Sequence, residues 1–346
     1  MLNSQAMSVI GVTGAGGYIA GRVIRLLEEH PLCARIVGID LKTPVAPSRK
    51  LFFYQRDVRD PELGRLFQKE RVSIIVHFAF VLNPLHNRQE MHSVNLAGTR
   101  NLLEAALACQ AEQVLATSST SAYGALPDNP PRLKETMTLR AAPTFQYAQD
   151  KREMDLLLQE FAHQHPGAAV CIFRPCIVVG PNVDNFISKG LTQVINIVID
   201  GQNPELQFVH EDDVARAVVL ALEAKARGIY NIVGEGTITL EEAWEMKGWG
   251  IRLNFPAGLA YRLLDLNWAL HLPGGLEAPA PALDFFRWPW VADGDKAKRE
   301  LGFAPQFSTR QIWRDYLRWI EEHPKLTPVG KIIARVAGSV SAKAGG

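Results

Sequence analysis

The sequence predicts an α/β protein: a doubly wound parallel sheet with helices on both faces, followed by a smaller, discontinuous C-terminal lobe. Three observations predict it. Short β-branched runs alternate with amphipathic stretches through the first half, the pattern of βαβ units. A glycine-rich turn joins the first of those runs directly to a helical stretch. All seven tryptophans fall between Trp244 and Trp319, so the later segments form a body of different composition.

Expected strands cover residues 8–13, 35–40, 51–56, 74–78, 113–117 and 169–173. Helical patterns fill the intervals at 17–30, 61–70, 88–109 and 146–165, and in the last of these Met154, Leu157, Leu158 and Phe161 share one face. Periodicity weakens after Arg174-Pro175, then a helical pattern spans 208–225 and a strand pattern 229–233. The expected organisation is a first domain at 8–175, rejoined by 208–236, and a second lobe from 176–207 and 237–300. A helical region at 301–325 follows, and the small-residue-rich tail, 326–346, is expected to fray.

Composition excludes several classes. A net charge of +1 offers no electrostatic footprint for nucleic acid. Cys33, Cys109, Cys171 and Cys176 show no paired spacing and no histidine cluster, so neither a disulfide framework nor a metal site is expected. Ser8-Val9-Ile10 runs straight into the glycine turn without a leader pattern, and no apolar run reaches the ~18–20 residues of a membrane span. A cytoplasmic protein without stable membrane insertion is expected. Lys331 to Val336 forms at most one basic amphipathic turn, too short to anchor the chain. The expected partner is a small molecule held in a pocket.

The turn Gly11-Val12-Thr13-Gly14-Ala15-Gly16-Gly17-Tyr18-Ile19-Ala20 sits between a strand and a helix start. Gly14 permits a sharp turn, Gly17 lets backbone approach a pyrophosphate, and the helix N-terminus offers free N–H groups to phosphate. Asp40 ends the second strand at the distance ribose recognition requires. A carboxylate there accepts the adenosine ribose hydroxyls and repels a 2′-phosphate, which points to NAD rather than NADP; Lys42 nearby is the opposing feature. Asp57-Val58, after the third strand, fits an adenine clamp.

Tyr147 and Lys151 stand four residues apart, on one helical face. A free phenol titrates near pH ~10, and a neighbouring cation lowers it toward use as a base. Upstream, Thr117-Ser118-Ser119-Thr120-Ser121-Ala122-Tyr123-Gly124 follows the fifth strand, where Ser119 or Ser121 can hydrogen-bond a substrate oxygen.

Together these residues resemble an extended short-chain dehydrogenase/reductase of the NAD-dependent epimerase/dehydratase superfamily. The resemblance continues through His77-Phe78-Ala79, Val94 to Thr99, Arg174-Pro175, Phe208-Val209-His210, Asp213-Val214, Tyr230-Asn231 and Leu301-Gly302-Phe303. It implies a Rossmann-type NAD-binding domain and a substrate-binding second lobe. It implies Tyr147 as general acid or base, Lys151 as its pKa partner and ribose ligand, and Ser119 as hydrogen-bond donor. Phe78-Ala79 would line the cofactor channel, Asn95 would hold backbone behind the site as part of the cofactor-binding set, and Pro175 and Ile177 would flank the nicotinamide. A homodimer through 88–109 and 146–165 is also implied.

Two departures narrow the activity. The dehydratases of that superfamily carry an Asp-Glu pair where this chain has Thr120 and Ser121, so that route lacks its acid and its base. Sugar-nucleotide epimerases place an arginine for the diphosphate where Leu206 stands; Lys189, Arg252 and Arg262 are the candidate replacements. The expectation is an NAD-dependent oxidoreductase acting on a secondary alcohol or ketone that is not a UDP-sugar. The alternatives are a nucleotide-sugar 4-epimerase that retains its NAD, and a non-catalytic NAD-binding regulator.

Overall fold

The computed structural model describes residues 7–44, 48–183, 186–271 and 278–323. The tail at 326–346 lies outside them. β1 (Ser8–Thr13) leads through the glycine turn into α1 (Tyr18–Glu28), and β2 (Cys33–Asp40) and β3 (Leu51–Gln55) follow. α2 (Leu63–Lys69) precedes β4 (Ile74–His77). α3 (Arg88–His92) passes through a π turn at Ser93–Ala97 into α4 (Gly98–Ala108). β5 (Gln113–Thr117), a 3-10 turn at Thr120–Tyr123, α5 (Gln146–Gln164) and β6 (Ala169–Pro175) come next. The chain then leaves the main sheet for β7 (Ile177–Val179), α6 (Phe186–Leu191), β8 (Ile195–Ile199), β9 (Glu205–Leu206) and β10 (Phe208–His210). α7 (Glu211–Glu223) and β11 (Gly228–Ile232) return to it. β12 (Ile238–Thr239), α8 (Leu240–Lys247), β13 (Ile251–Phe255) and α9 (Ala257–Leu270) precede a 3-10 segment at Ala280–Phe286. α10 (Asp295–Leu301) and α11 (Thr309–Glu322) end the described chain.

Seven strands form one parallel sheet in the order β11-β6-β5-β4-β1-β2-β3. Side chains alternate between its faces. Ile74 and Val76 join the core under α1 and α7, while Ile75, between them, joins Val114, Leu102 and Leu158 under α2, α4 and α5. Strand order reverses between β1 and β4, so the turns that leave them diverge and open a crevice at their C-terminal ends. This is the doubly wound, Rossmann-type architecture expected from the sequence.

The structure corrects two elements. Residues 208–225 are not one helix: Phe208 to His210 pair with β7 in parallel, and α7 starts only at Glu211. The His210 side chain accepts from the Asp212 N–H and three acids fill the first turn, which fixes the helix start there. Residues 88–109 are not one regular helix either, because the π turn interrupts them around Asn95. Among the described residues no helix is long and apolar enough to cross a membrane.

Candidate active site

The crevice widens into a cleft of about 590 Å³ that runs from the glycine turn to the small segments after β6. At one end Gly14 has φ +72°, and a side chain there would lie 2.6 Å from the Ala79 nitrogen. The loops after β1 and β4 therefore touch at a position only glycine fits. Tyr18, Ile19, Phe78 and Ala79 line this end with Gly14 and Gly17.

Asp40 closes the side of the turn. Its carboxylate accepts from the Gly16 N–H at 2.9 Å and from the Lys42 N–H at 2.9 Å. Two backbone donors thus hold an acid at the end of β2, beside the helix N-terminus, and both Asp40 and Lys42 line the cleft. Asp57 and Val58 line it as well, but the Asp57 carboxylate is engaged. Arg59 donates to it from Nε at 3.0 Å and Nη2 at 2.7 Å, which holds the carboxyl below the usual range. Arg59 also reaches Glu90 at 2.9 Å and Ser93 at 3.0 Å. Sequence reading had no signal for Arg59, whose partners are scattered along the chain.

Ser119, Ser121, Tyr147 and Lys151 line the same cleft, together with Pro175, Cys176 and Ile177. Ser119 accepts from the Ser121 N–H at 3.1 Å, which fixes its hydroxyl at the start of the 3-10 turn. The Ser121 hydroxyl is buried and makes no well-formed hydrogen bond, although it lies near enough to the Tyr147 phenol to act on it. Tyr147 is packed by Phe80, Phe145 and Phe186 at centroid distances of 6.0, 5.8 and 5.7 Å. Lys151 donates to the Thr117 carbonyl at 2.7 Å and lies 3.5 Å from the centre of the Phe80 ring.

Burial raises the Tyr147 phenol above its ordinary value, with the neighbouring Ser119 and Ser121 hydroxyls pulling the other way. Burial also pushes the Lys151 ammonium down, to about 7, against the pull of Asp155 and Asp150. Desolvation disfavours both charged forms.

Asn95 is reassigned. It is fully buried and absent from the cleft wall. Its Oδ1 accepts from the Val81 N–H at 2.7 Å and its Nδ2 donates to Asp150 at 2.9 Å. Asn95 therefore steadies a loop that lines the cleft rather than touching what the cleft holds. The other sequence-derived site residues all lie in the cleft wall. Sequence reading missed Phe80, Phe186, Phe285 and Trp290, because they come from four separate segments.

The crevice fits a dinucleotide: a glycine turn at a helix N-terminus, a positioned ribose acid and a continuous path to a buried serine hydroxyl. The comparisons agree. The chain is 24% identical over 361 residues to a UDP-glucose 4-epimerase of Neisseria meningitidis serogroup C, covering 92% of this chain and 98% of that protein. It is 24% identical to short-chain dehydrogenase/reductase family 42E member 1 of Xenopus laevis, over 93% of this chain and 90% of that one. The dTDP-glucose 4,6-dehydratase DesIV of Streptomyces venezuelae, solved with NAD bound, superposes with a TM-score of 0.69 at 23% identity. It covers 92% of this chain and 98% of that structure. Residues 10–233 match the family described as NAD dependent epimerase/dehydratase, and the chain belongs to that NAD-dependent family.

Proposed function

We propose that the protein is an NAD-dependent oxidoreductase that interconverts a secondary alcohol and its ketone on a largely apolar molecule. One observation carries the proposal: the substrate half of the cleft is walled by Phe145, Phe186, Leu191, Leu206, Phe285 and Trp290 and brings no cation. Among the described residues, the lysines and arginines that line the cleft are Lys42, Arg56, Arg59 and Lys151; none comes from 176–207 or 237–300. Leu206, 2% exposed, occupies the position that the resemblance assigns to a diphosphate-binding arginine. Lys189, Arg252 and Arg262 are not in the cleft wall, and Arg252 is paired with Glu241 at 2.8 Å.

Gly14, Gly17, Tyr18, Ile19, Asp40, Val58, Phe78, Ala79, Pro175 and Ile177 would hold NAD, with Asp57 reaching it only beside Arg59. NAD supplies the hydride acceptor or donor. Ser119 and the Ser121 hydroxyl would hold the substrate oxygen and steady charge as it develops. Tyr147 would carry the proton. Its raised pKa keeps the phenol protonated at neutral pH, which suits donation to a carbonyl oxygen in the reducing direction. Lys151, bonded to the Thr117 carbonyl, would return a proton to Tyr147.

The test is a spectrophotometric NADH assay over apolar ketones and secondary alcohols, with Tyr147→Phe and Lys151→Met as controls. Turnover that Tyr147→Phe abolishes while NAD affinity holds supports the assignment; Lys151→Met should weaken both. More than a few per cent of activity left in Tyr147→Phe would defeat it. The likeness to UDP-glucose 4-epimerases favours a second reading, sugar epimerisation on retained NAD. Stoichiometric NAD that survives purification, with no net redox turnover, would favour that reading instead.

A further inference from the structure

Helix α9 has two unlike faces. Inward, Ala260, Tyr261 and Leu264 pack on Ile199 of β8 and on Ala280 and Leu283 of the 3-10 segment, whose Ala282, Phe285 and Phe286 line the cleft. Outward, Leu259, Leu263, Leu266 and Leu270 are 47%, 47%, 54% and 58% exposed. Their spacing of four, three and four keeps them in one stripe along the helix. The C-terminal end of α9 is fastened to the rim of the cleft. His86 stacks on Trp268 at 3.8 Å and on His271 at 3.7 Å, and its neighbour Leu85, 39% exposed, is part of the cleft wall.

We propose that this leucine face seats the protein reversibly on an anionic lipid surface, with the mouth of the cleft beside the acyl chains. The proposal rests on the reading of an apolar substrate, since a molecule that fills such a chamber partitions into lipid. Area separates a lipid occupant from a second copy. Four half-exposed leucines offer on the order of 400 Å², about half of what each partner buries in a stable protein interface. Lipid contact has no such threshold, because it scales with whatever apolar area is inserted. Charge points the same way. The 23 residues after His323 carry Lys325, Lys331, Arg335 and Lys343 and no acid, a composition attracted to anionic headgroups. At 14 residues α9 is too short to span a bilayer, so the helix lies in the plane of the surface.

The test is flotation of the full chain with vesicles of phosphatidylcholine alone and of phosphatidylcholine mixed with phosphatidylglycerol. Two variants are compared, Leu263→Gln/Leu266→Gln and the fourfold Leu259→Ser/Leu263→Ser/Leu266→Ser/Leu270→Ser. The wild type should float with the mixed vesicles, and the fourfold variant should lose at least about tenfold in partitioning, the double variant less. Unchanged NAD affinity in both variants shows that they remain folded. A wild type that does not float, or folded variants that float equally well, overturns the proposal. So does a lipid-free dimer that the same substitutions split, since that assigns the face to a second copy. Flotation is read without substrate. Flotation without turnover of apolar alcohols defeats only the proposed activity, and turnover without flotation defeats only the lipid contact.

Discussion

The Lys151 ammonium lies 3.5 Å from the centre of the Phe80 ring, and the same ring meets Tyr147 edge-on at 6.0 Å. Phe80 therefore joins the two titratable groups of the site, and its face favours the charged form of Lys151 against the burial that pushes it to about 7. A desolvated cation–π contact contributes about 1–2 kcal/mol, equivalent to roughly one pKa unit. Phe80→Leu should move the alkaline limb of the reductive pH–rate profile, near pH 7, downward by about one unit. A limb that stays in place shows that the ring only fills space.

Asp40 should make NAD bind about tenfold or more tightly than NADP, because its carboxylate, held at the end of β2 beside the glycine turn, would meet the ribose edge where a 2′-phosphate would sit. The two backbone N–H groups that hold it leave little freedom to swing away. Asp40→Ser should narrow the preference, with Lys42 then available to the phosphate. Isothermal titration of both cofactors measures this. Equal affinities in the wild type would remove Asp40 from the role and leave Lys42 as the deciding residue.

The limits of sequence reading here have local causes. Ser8–Thr13 and Gln113–Thr117 were legible to the residue, since buried β-branched runs bounded by turn signals leave few alternatives. Phe208–His210 was misread because two apolar residues ahead of an acidic helix start complete a helical pattern as readily as a strand. β8 and β13 pair only with each other, a partnership of distant segments that no local period announces. The cleft residues on turns and helix starts were legible from spacing. The direction of the Tyr147 shift was not, because Phe80, Phe145 and Phe186 converge on it from three segments. The motif around Asn95 implies a residue that holds backbone behind the site but does not name its partner, the Val81 backbone, which the fold brings to it from the loop after β4.

His77 should make the fold acid-sensitive. The ring is buried between the Thr13 hydroxyl at 2.7 Å and the Thr99 hydroxyl at 3.2 Å, and burial pushes it down to about 3. The unfolded chain binds a proton below pH ~6.5 that the folded chain refuses until far lower pH, so stability falls as pH drops through that window. The loss from this group reaches about 2 kcal/mol at pH ~5. His77→Asn should be less stable near neutrality yet show a shallower decline in Tm on acidification. Parallel declines in the two proteins would assign the acid sensitivity elsewhere.

The final prediction concerns substrate choice. UDP and UDP-glucose should fail to displace an apolar fluorescent probe from the cleft, while apolar ketones displace it. Of the seven tryptophans only Trp290 lines the cleft. Trp313, by contrast, is fully buried against Phe208 and donates to the Ala243 carbonyl at 2.8 Å. The argument therefore rests on Leu206 and on the phenylalanines around Tyr147. A desolvated diphosphate needs paired cations, and losing one charge-assisted contact costs ~2–4 kcal/mol, roughly 30- to 1,000-fold in affinity. Since the described residues of 176–207 and 237–300 place no lysine or arginine in the cleft wall, no second cation from those segments makes up the loss. Leu206→Arg, which restores the missing charge at a buried position facing the cleft, should raise UDP affinity while weakening binding of the apolar probe. Micromolar binding of UDP-glucose by the wild type, with conversion to UDP-galactose, would overturn the apolar assignment and establish the epimerase in its place.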